Sequence, residues 1–254
     1  SKLIDSIVWL IPAAIVIAVA VLVWRSTHKL DPYRPIASDV PPLDIQVVGQ
    51  DWKWLFIYPE QGIATVNELA APVDRPILFK LTATSTMNAF YVPDLAGMIY
   101  AMPGMQTELN AVINRPGVFQ GMSSHYSGAG FSGMTFKFHG LSEDDFDKWV
   151  KQAKAEGKPL DRSTYQNLVK PSERDPVQRF ASVEEGLYEK VLNRCVDDGK
   201  MCMHHMMAID AHGGEAYVRS AGLNLPQDVC TAQNAPLVLA ALESRNPSRT
   251  ITRQ

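Results

Sequence analysis

Cysteine is scarce in this 254-residue chain: there are three, Cys195, Cys202 and Cys230, and none before them. They allow one disulfide with one cysteine left over, and the sequence does not choose the pair. A basic excess is also missing. Twenty-four Lys+Arg stand against 27 Asp+Glu, a net charge of −3, which argues against a nucleic-acid-binding protein. Collagen-like and coiled-coil repeats are absent, and 46% hydrophobic with 20% charged residues is too apolar for a disordered chain. The sharpest absence is local. Ile7 to Trp24 is a run of 18 residues without one charge, hidden by an ordinary mean hydropathy of −0.09.

At ~1.5 Å per residue that run is roughly 27 Å long, close to the ~30 Å hydrocarbon core of a bilayer. A purely soluble chain is thereby excluded. The run is long for a signal-peptide core and ends without a small-x-small cleavage site, so residues 1–29 read as a retained transmembrane helix. Trp9 and Trp24 fall near its ends, where indoles favour the interface, and Pro12 lies inside it. Lys2 precedes the run, whereas Arg25, Lys29 and Arg34 follow it. Counted alone, these charges place the long C-terminal part in the cytoplasm. A buried core helix is the alternative reading.

Residues 30–42 are Pro-rich and polar and read as a linker. Strand patterns follow over residues 43–140. Trp52, Trp54, Phe56 and Tyr58 alternate with Lys53, Leu55 and Ile57, a period of two with an aromatic face. Further short apolar runs at Pro76–Ala83, Phe90–Val92, Met98–Met102, Gln106–Ile113, Val118–Met122 and Met134–His139 are separated by Gly and Pro. This spacing predicts an all-β sandwich. Residues 141–195 change to a helical pattern. Ser142 and Asp145 resemble a helix start ahead of a Phe146, Trp149, Val150, Ala153 stripe. A shorter helix is expected over Thr164–Val169, and Ser182-Val-Glu-Glu185 has the form of a capping box. Residues 196–254 read as an irregular tail containing Cys, Met and His.

Four segments carry a resemblance: Gln50-Asp-Trp-Lys-Trp54, Met87-Asn-Ala-Phe-Tyr-Val-Pro93, Tyr100-Ala-Met-Pro-Gly-Met105 and Gly121-Met-Ser-Ser-His-Tyr-Ser-Gly-Ala-Gly-Phe-Ser-Gly-Met134. In this order they are similar to subunit II of the haem–copper terminal oxidases, and specifically to its quinol-oxidising branch, the cytochrome bo-type ubiquinol oxidases. The resemblance runs from about residue 3 to about 195. It implies a transmembrane helix carrying a cupredoxin-like sandwich, with a C-terminal helical extension like the family's aromatic-rich segment.

The copper-bearing branch of that family needs two bridging thiolates, two imidazoles, a thioether and a backbone carbonyl. Aligned by resemblance, the first imidazole position here is Asn88 and the thiolate positions are Ser123 and Ser127. The second imidazole position is Phe131, the carbonyl position His125 and the thioether position Met134. Serine hydroxyls stay protonated at neutral pH and phenylalanine ligates nothing, so the copper site is degenerate. No cofactor is then expected on this chain, no catalytic residue, and no electron entry from cytochrome c. The resemblance implies ubiquinol bound elsewhere in the complex, haems and copper in subunit I, and oxygen reduced to water there. Trp52, which aligns with the tryptophan lying between copper and haem in copper-bearing relatives, reads as structural.

The family's acid-x-x-x-Trp-x-x-Pro pattern falls on Asp5, Trp9 and Pro12. By resemblance Asp5 stands at the cytoplasmic mouth of a proton path into subunit I. The alternative is an acid favoured by the positive end of the helix dipole. The resemblance also makes the apolar run the second helix of a hairpin whose first helix is absent from this sequence. It puts the globular domain in the periplasm of a bacterial inner membrane, against the local charge count. The expected partners are subunit I, further membrane subunits and the lipid bilayer, with no nucleic acid.

The segment Met201-Cys-Met-His-His-Met-Met207, followed by His212, concentrates soft donors. A copper-binding role is one reading, and a disulfide-stapled, Met-packed extension against a partner is the other. The exposed side of Trp52–Tyr58 is a candidate docking face. Two other functions compete: a copper-bearing cytochrome c oxidase subunit and a free-standing, membrane-anchored periplasmic copper-binding module. Ser123, His125 and Ser127 lack an orienting acid, which argues against a nucleophilic enzyme.

Overall fold

The computed structural model describes residues 2–197 and 199–211. Cys230 and His212 lie outside the described residues.

Helix α1 spans Lys2–Lys29 with Asp5 in its first turn and His28 and Lys29 in its last, each sign complementing the helix dipole. Its stretch Ile4–Lys29 is long and apolar enough to cross a membrane, and none of its most apolar window is buried by the rest of the chain. Pro12 sits within the first turns of a continuous helix. The linker is tethered at two points, and at one of them Arg75 Nε donates to the Pro41 carbonyl at 3.1 Å. The Asn110 backbone N–H and side-chain amide both donate to the Pro32 carbonyl, at 3.0 and 3.2 Å.

The first eight strands are β1 (Leu43–Gln50), β2 (Lys53–Tyr58), β3 (Ile63–Val66), β4 (Glu68–Pro72), β5 (Ile77–Ala83), β6 (Asn88–Tyr91), β7 (Ile99–Ala101) and β8 (Thr107–Ala111). β9 (Gly117–Ser123) and β10 (Thr135–Leu141) complete the sandwich proper. Two strands come from the extension, β11 (Lys158–Leu160) and β12 (Gln178–Val183). One sheet has the order β11-β12-β3-β2-β1-β5-β8 and the other β4-β10-β9-β6-β7. The β1–β5 and β4–β10 pairs are parallel, as long crossovers require.

An aromatic core fills the space between the sheets: Trp54, Phe56, Phe79, Phe90, Phe136 and Phe138. Phe90 and Phe136 stack with centroids 5.4 Å apart. Gly121 is required opposite them, because a Cβ there would lie 2.0 Å from the Phe136 ring. The Tyr58 hydroxyl donates to the Ala70 carbonyl and accepts from the Ala70 N–H, both at 2.9 Å. It thereby joins the two sheets.

The other face of the larger sheet is covered too. Leu55, Ile57, Ala64 and Val66 pack against Leu160, Tyr165, Leu168, Phe180 and Leu187 of the extension. Strand β2 is therefore buried on both faces along its whole length. The expected aromatic docking face at Trp52–Tyr58 does not exist. Trp54, Phe56 and Tyr58 enter the sandwich core, and Leu55 and Ile57 enter the second core under the extension.

The extension contains α2 (Glu143–Glu156), α3 (Arg162–Leu168) and α4 (Leu187–Leu192). The Ser142 hydroxyl caps α2 by accepting from the Asp145 N–H, and Phe146, Trp149, Val150 and Ala153 are the buried stripe. Asp161 caps α3 in the same way through the Thr164 N–H at 2.7 Å. The segment also departs from a purely helical reading. β12 pairs with the open edge of β3 in antiparallel register, so a sheet edge in search of a partner overrides local helical pattern. Gly157 makes this possible: a Cβ there would meet the Ala181 backbone nitrogen at 2.3 Å. The capping-box expectation at Ser182 fails for the same reason. Ser182 lies in β12, and the N-cap of α4 is Gly186 at φ +70°. Beyond 196 the chain is not wholly irregular, since α5 runs from Met203 to Ala211.

Candidate functional site

The positions that would hold copper are gathered at one end of the sandwich, on β6, β9 and the loop between β9 and β10. Asn88 is 1% exposed, with its amide donating to the Thr86 carbonyl at 3.0 Å. The Ser123 hydroxyl lies 3.5 Å from Asn88 Oδ1 and 3.4 Å from the His125 carbonyl. Ser123 N–H donates to the Met134 carbonyl at 3.0 Å, and Met134 is 1% exposed. Phe131 opens a short 3-10 turn, Phe131–Gly133, with its ring edge-on to Tyr126. The His125 ring stands edge-on to Tyr100. The Ser127 hydroxyl is buried without a hydrogen-bond partner.

Trp52 clamps this loop. It occupies the turn between β1 and β2 at φ +67°, a left-handed conformation that costs a bulky residue about 1–3 kcal/mol. The indole N–H donates to the Ser127 carbonyl at 3.1 Å. Its ring lies on Gly130, where a Cβ would come within 2.5 Å, and on Gly128 at φ +115°. The strained turn aims the ring at two glycines that leave room for it.

Chemically, this set does not fit a dinuclear copper centre. Neutral hydroxyls and an amide are hard, uncharged donors, and a phenyl ring donates nothing, whereas that centre needs thiolates and imidazoles. Among the described residues, no group of three or more His, Cys, Asp or Glu is placed to hold a metal ion.

Two ionic knots, both absent from any sequence motif, fix the extension to the sandwich. Lys53, 1% exposed in β2, donates to the Lys170 carbonyl and to Asp175 Oδ2, both at 2.9 Å, and to the Ser172 hydroxyl. Burial alone raises the Asp175 carboxyl, but the Ser172 and Lys53 hydrogen bonds hold it below the usual range. In the second knot Arg179 of β12 grips Glu68 of β4 through both carboxylate oxygens, at 2.8 and 3.1 Å. The His139 ring is 3.4 Å from the same carboxylate. Burial pushes the Glu68 carboxyl up, but His139 and Arg179 outweigh it and hold it at about 2.

Of the other sequence-predicted positions, Asp5 is exposed in the first turn of α1. Cys195 and Cys202 are joined in a disulfide, so Cys230 has neither of them to pair with. Met203 packs on Gly104, its methyl 3.2 Å from where a Cβ would be. The Met-containing segment is thus stapled to the chain's own sandwich loop. His204 and His205 are ring neighbours on α5, and the His205 imidazole is lowered by burial, with His204 adding to the shift.

Comparison with known proteins agrees with this architecture. Residues 61–140 match the family model described as cytochrome c oxidase subunit II, periplasmic domain. Residues 154–199 match the COX aromatic rich motif. Cytochrome bo(3) ubiquinol oxidase subunit 2 of Pseudomonas putida is 49% identical over 194 residues, covering 76% of this chain and 62% of the relative. Ubiquinol oxidase subunit 2 of Acetobacter aceti is 47% identical, covering 76% and 63%. Cytochrome bo(3) ubiquinol oxidase subunit 2 of Buchnera aphidicola subsp. Schizaphis graminum is 42% identical over 206 residues, covering 80% and 71%. The chain spans about six-tenths of the length of the Pseudomonas and Acetobacter relatives. With a membrane-length helix, a cupredoxin-like sandwich and the aromatic-rich extension following one another, and with these relatives matched at 42–49% identity, the chain belongs to the haem–copper oxidase subunit II family, in its ubiquinol oxidase branch.

Proposed function

We propose that this chain is the non-catalytic second subunit of a proton-pumping terminal ubiquinol oxidase. The observation that carries this is the residue set Asn88, Ser123, Ser127 and Phe131 at the copper pole, which cannot receive electrons from cytochrome c. Electrons enter elsewhere in the complex from ubiquinol, and oxygen is reduced in subunit I, which holds the haems and copper. This chain's own contribution is assembly. Helix α1 contacts subunit I in a bacterial inner membrane, and the sandwich covers its periplasmic face. Asp5, at the cytoplasmic end of α1, serves proton entry. The domain plan is anchor 1–29, linker 30–42, sandwich 43–140, aromatic-rich extension 141–195 and Cys/Met/His tail 196–254.

Purification of the tagged chain from its native membrane tests the reading. The expected product is a haem-bearing multisubunit complex that oxidises ubiquinol but not reduced cytochrome c. A haem-free monomer, or a complex showing the purple absorption of dinuclear copper, would overturn it.

A further inference from the structure

Helix α1 is not uniform around its circumference. Ile15, Val19, Val23 and Thr27 form one row, four residues apart, and Val16, Ala20, Trp24 and His28 form the next. An open furrow of about 620 Å³ runs between the two rows. From Ile15 to Trp24 it is roughly 14 Å long at ~1.5 Å per residue, about half of the ~30 Å hydrocarbon core. That is the depth of one acyl chain in a single leaflet. At ~100° per residue, Ala14 and Ala18 fall on the opposite side of the helix. Such a small-residue pair is where a neighbouring helix can approach closely, which leaves the furrow to lipid.

The furrow ends in a polar cavity. This second space, about 480 Å³, shares Thr27 and His28 with the furrow and adds Ser26, Leu30, Asp31 and Pro32. Trp24 and His28 stack with centroids 4.3 Å apart, at the level where indoles favour the membrane interface. His28 Nδ1 donates to the Trp24 carbonyl at 2.9 Å, which leaves Nε2 of the neutral ring as an acceptor. Asp31 Oδ1 accepts from the Tyr33 N–H at 3.0 Å, and among the described residues Asp31 has no ion-pair partner. Arg25 and Lys29, the cations nearest in sequence, line neither space. The Pro32 wall is fixed to β8 by the two Asn110 hydrogen bonds. The polar end is therefore rich in acceptors and keeps one negative charge.

We infer that this groove is a binding site for an aminophospholipid of the phosphatidylethanolamine type. One acyl chain lies along Val16, Val19, Ala20 and Val23. The ammonium donates to Asp31 and to His28 Nε2, and the phosphodiester accepts from the Thr27 hydroxyl. A primary ammonium brings three donors to these acceptors, whereas a trimethylammonium brings none and a glycerol head group brings no cation. The inference rests on α1 crossing a bilayer and not on the oxidase assignment.

Native mass spectrometry of the tagged complex tests this, after release in mild detergent and titration with dioleoyl phosphatidylethanolamine, phosphatidylcholine or phosphatidylglycerol. Wild type is expected to hold one phosphatidylethanolamine more than Ala20→Phe, whose ring fills the furrow, with at least about tenfold preference over the other two lipids at that site. Asp31→Asn, at an exposed linker position that leaves the fold intact, should lower this preference at least about fivefold. Equal lipid counts in wild type and Ala20→Phe, the result that a partner helix seated in the furrow would give, overturn the inference. So does an unchanged preference in Asp31→Asn, or a site that takes phosphatidylcholine or phosphatidylglycerol as tightly. Carbonate washing of the membranes checks the span separately: a released chain overturns the membrane reading and this inference together, whereas a retained chain without the extra phosphatidylethanolamine overturns this inference alone.

Discussion

Replacing Glu68 with Gln probes how firmly the aromatic-rich extension is held to the sandwich. The Glu68 carboxyl sits at about 2 in place of 4.5, and its side chain is 9% exposed. At ~1.4 kcal/mol per unit, a drop of about 2.5 units corresponds to roughly 3 kcal/mol of native-state preference for the charged form. A depressed carboxyl stabilises the fold fully above its unfolded value, and that contribution drains away as pH falls from 4.5 toward 2. Glu68→Gln removes the charge and with it this pH dependence. The stability difference between wild type and Glu68→Gln is therefore about 3 kcal/mol at pH 6.5 and shrinks to about 1 kcal/mol at pH 3. Urea unfolding of the solubilised chain, followed by tryptophan fluorescence, measures it at each pH. Trp149 is a suitable reporter, because the Arg179 guanidinium lies 6.0 Å from its ring. A difference that stays constant from pH 6.5 to 3, or grows as pH falls, would refute the assignment of the low carboxyl value to this knot.

Other expectations follow from the same geometry. Lys53→Ala strands Asp175 and Ser172 without their buried cation, and should lower stability by about 3 kcal/mol in the same unfolding assay; a loss under 1 kcal/mol would mean that water replaces the ammonium. Trp52→Ala removes the clamp on the β9–β10 loop, and limited proteolysis should cut near Gly128–Gly133 several times faster, while the far-UV circular dichroism is unchanged. In the purified oxidase, Asp5→Asn should slow turnover and proton uptake if Asp5 loads protons; unchanged rates leave only its helix-dipole role. Copper titration of the reduced chain with Met203 and His204 both changed should match wild type, because Met203 is committed to packing on Gly104; a lost micromolar site would support the copper reading of the tail instead.

The legible parts of this protein were those specified locally. The charge-free run from Ile7, the Ser142 cap and the Phe146–Ala153 stripe are written in neighbouring residues, and the structure follows them. What escaped is written between distant ones. Lys53 looks like the polar face of an alternating strand, and only a segment some 120 residues later supplies its partners. The Trp52–Tyr58 face looked half-exposed because nothing nearby announces that the extension will cover its other side. Residues 178–183 read as a continuation of a helical region, yet they form a strand because β3 offers an unpaired edge. At the copper pole the residue types were visible in the sequence, whereas the indole that ties the loop down was not, since its partner is a backbone carbonyl 75 positions away.

That clamp explains how the pole keeps its shape with ligands of the wrong chemistry. A dinuclear metal would cross-link β6 to the β9–β10 loop through strong coordinate bonds. Here β6 is joined to β9 by a short antiparallel ladder and to the loop by the Ser124 N–H to Ala89 carbonyl bond and the long Ser123–Asn88 contact, and the Ser123 N–H to Met134 carbonyl bond closes the loop on itself. These are modest links, about 1 kcal/mol each, and the orphaned Ser127 hydroxyl takes some of that back. The remainder comes from Trp52. Its ring buries against Gly128 and Gly130 and its N–H holds Ser127, which offsets the cost of its own left-handed backbone. The loop is thus fastened from the β1–β2 turn, outside the set of ligand positions. A fold fastened from there tolerates Ser, Asn and Phe in place of thiolate and imidazole, because none of those ligands was needed to hold the loop in place.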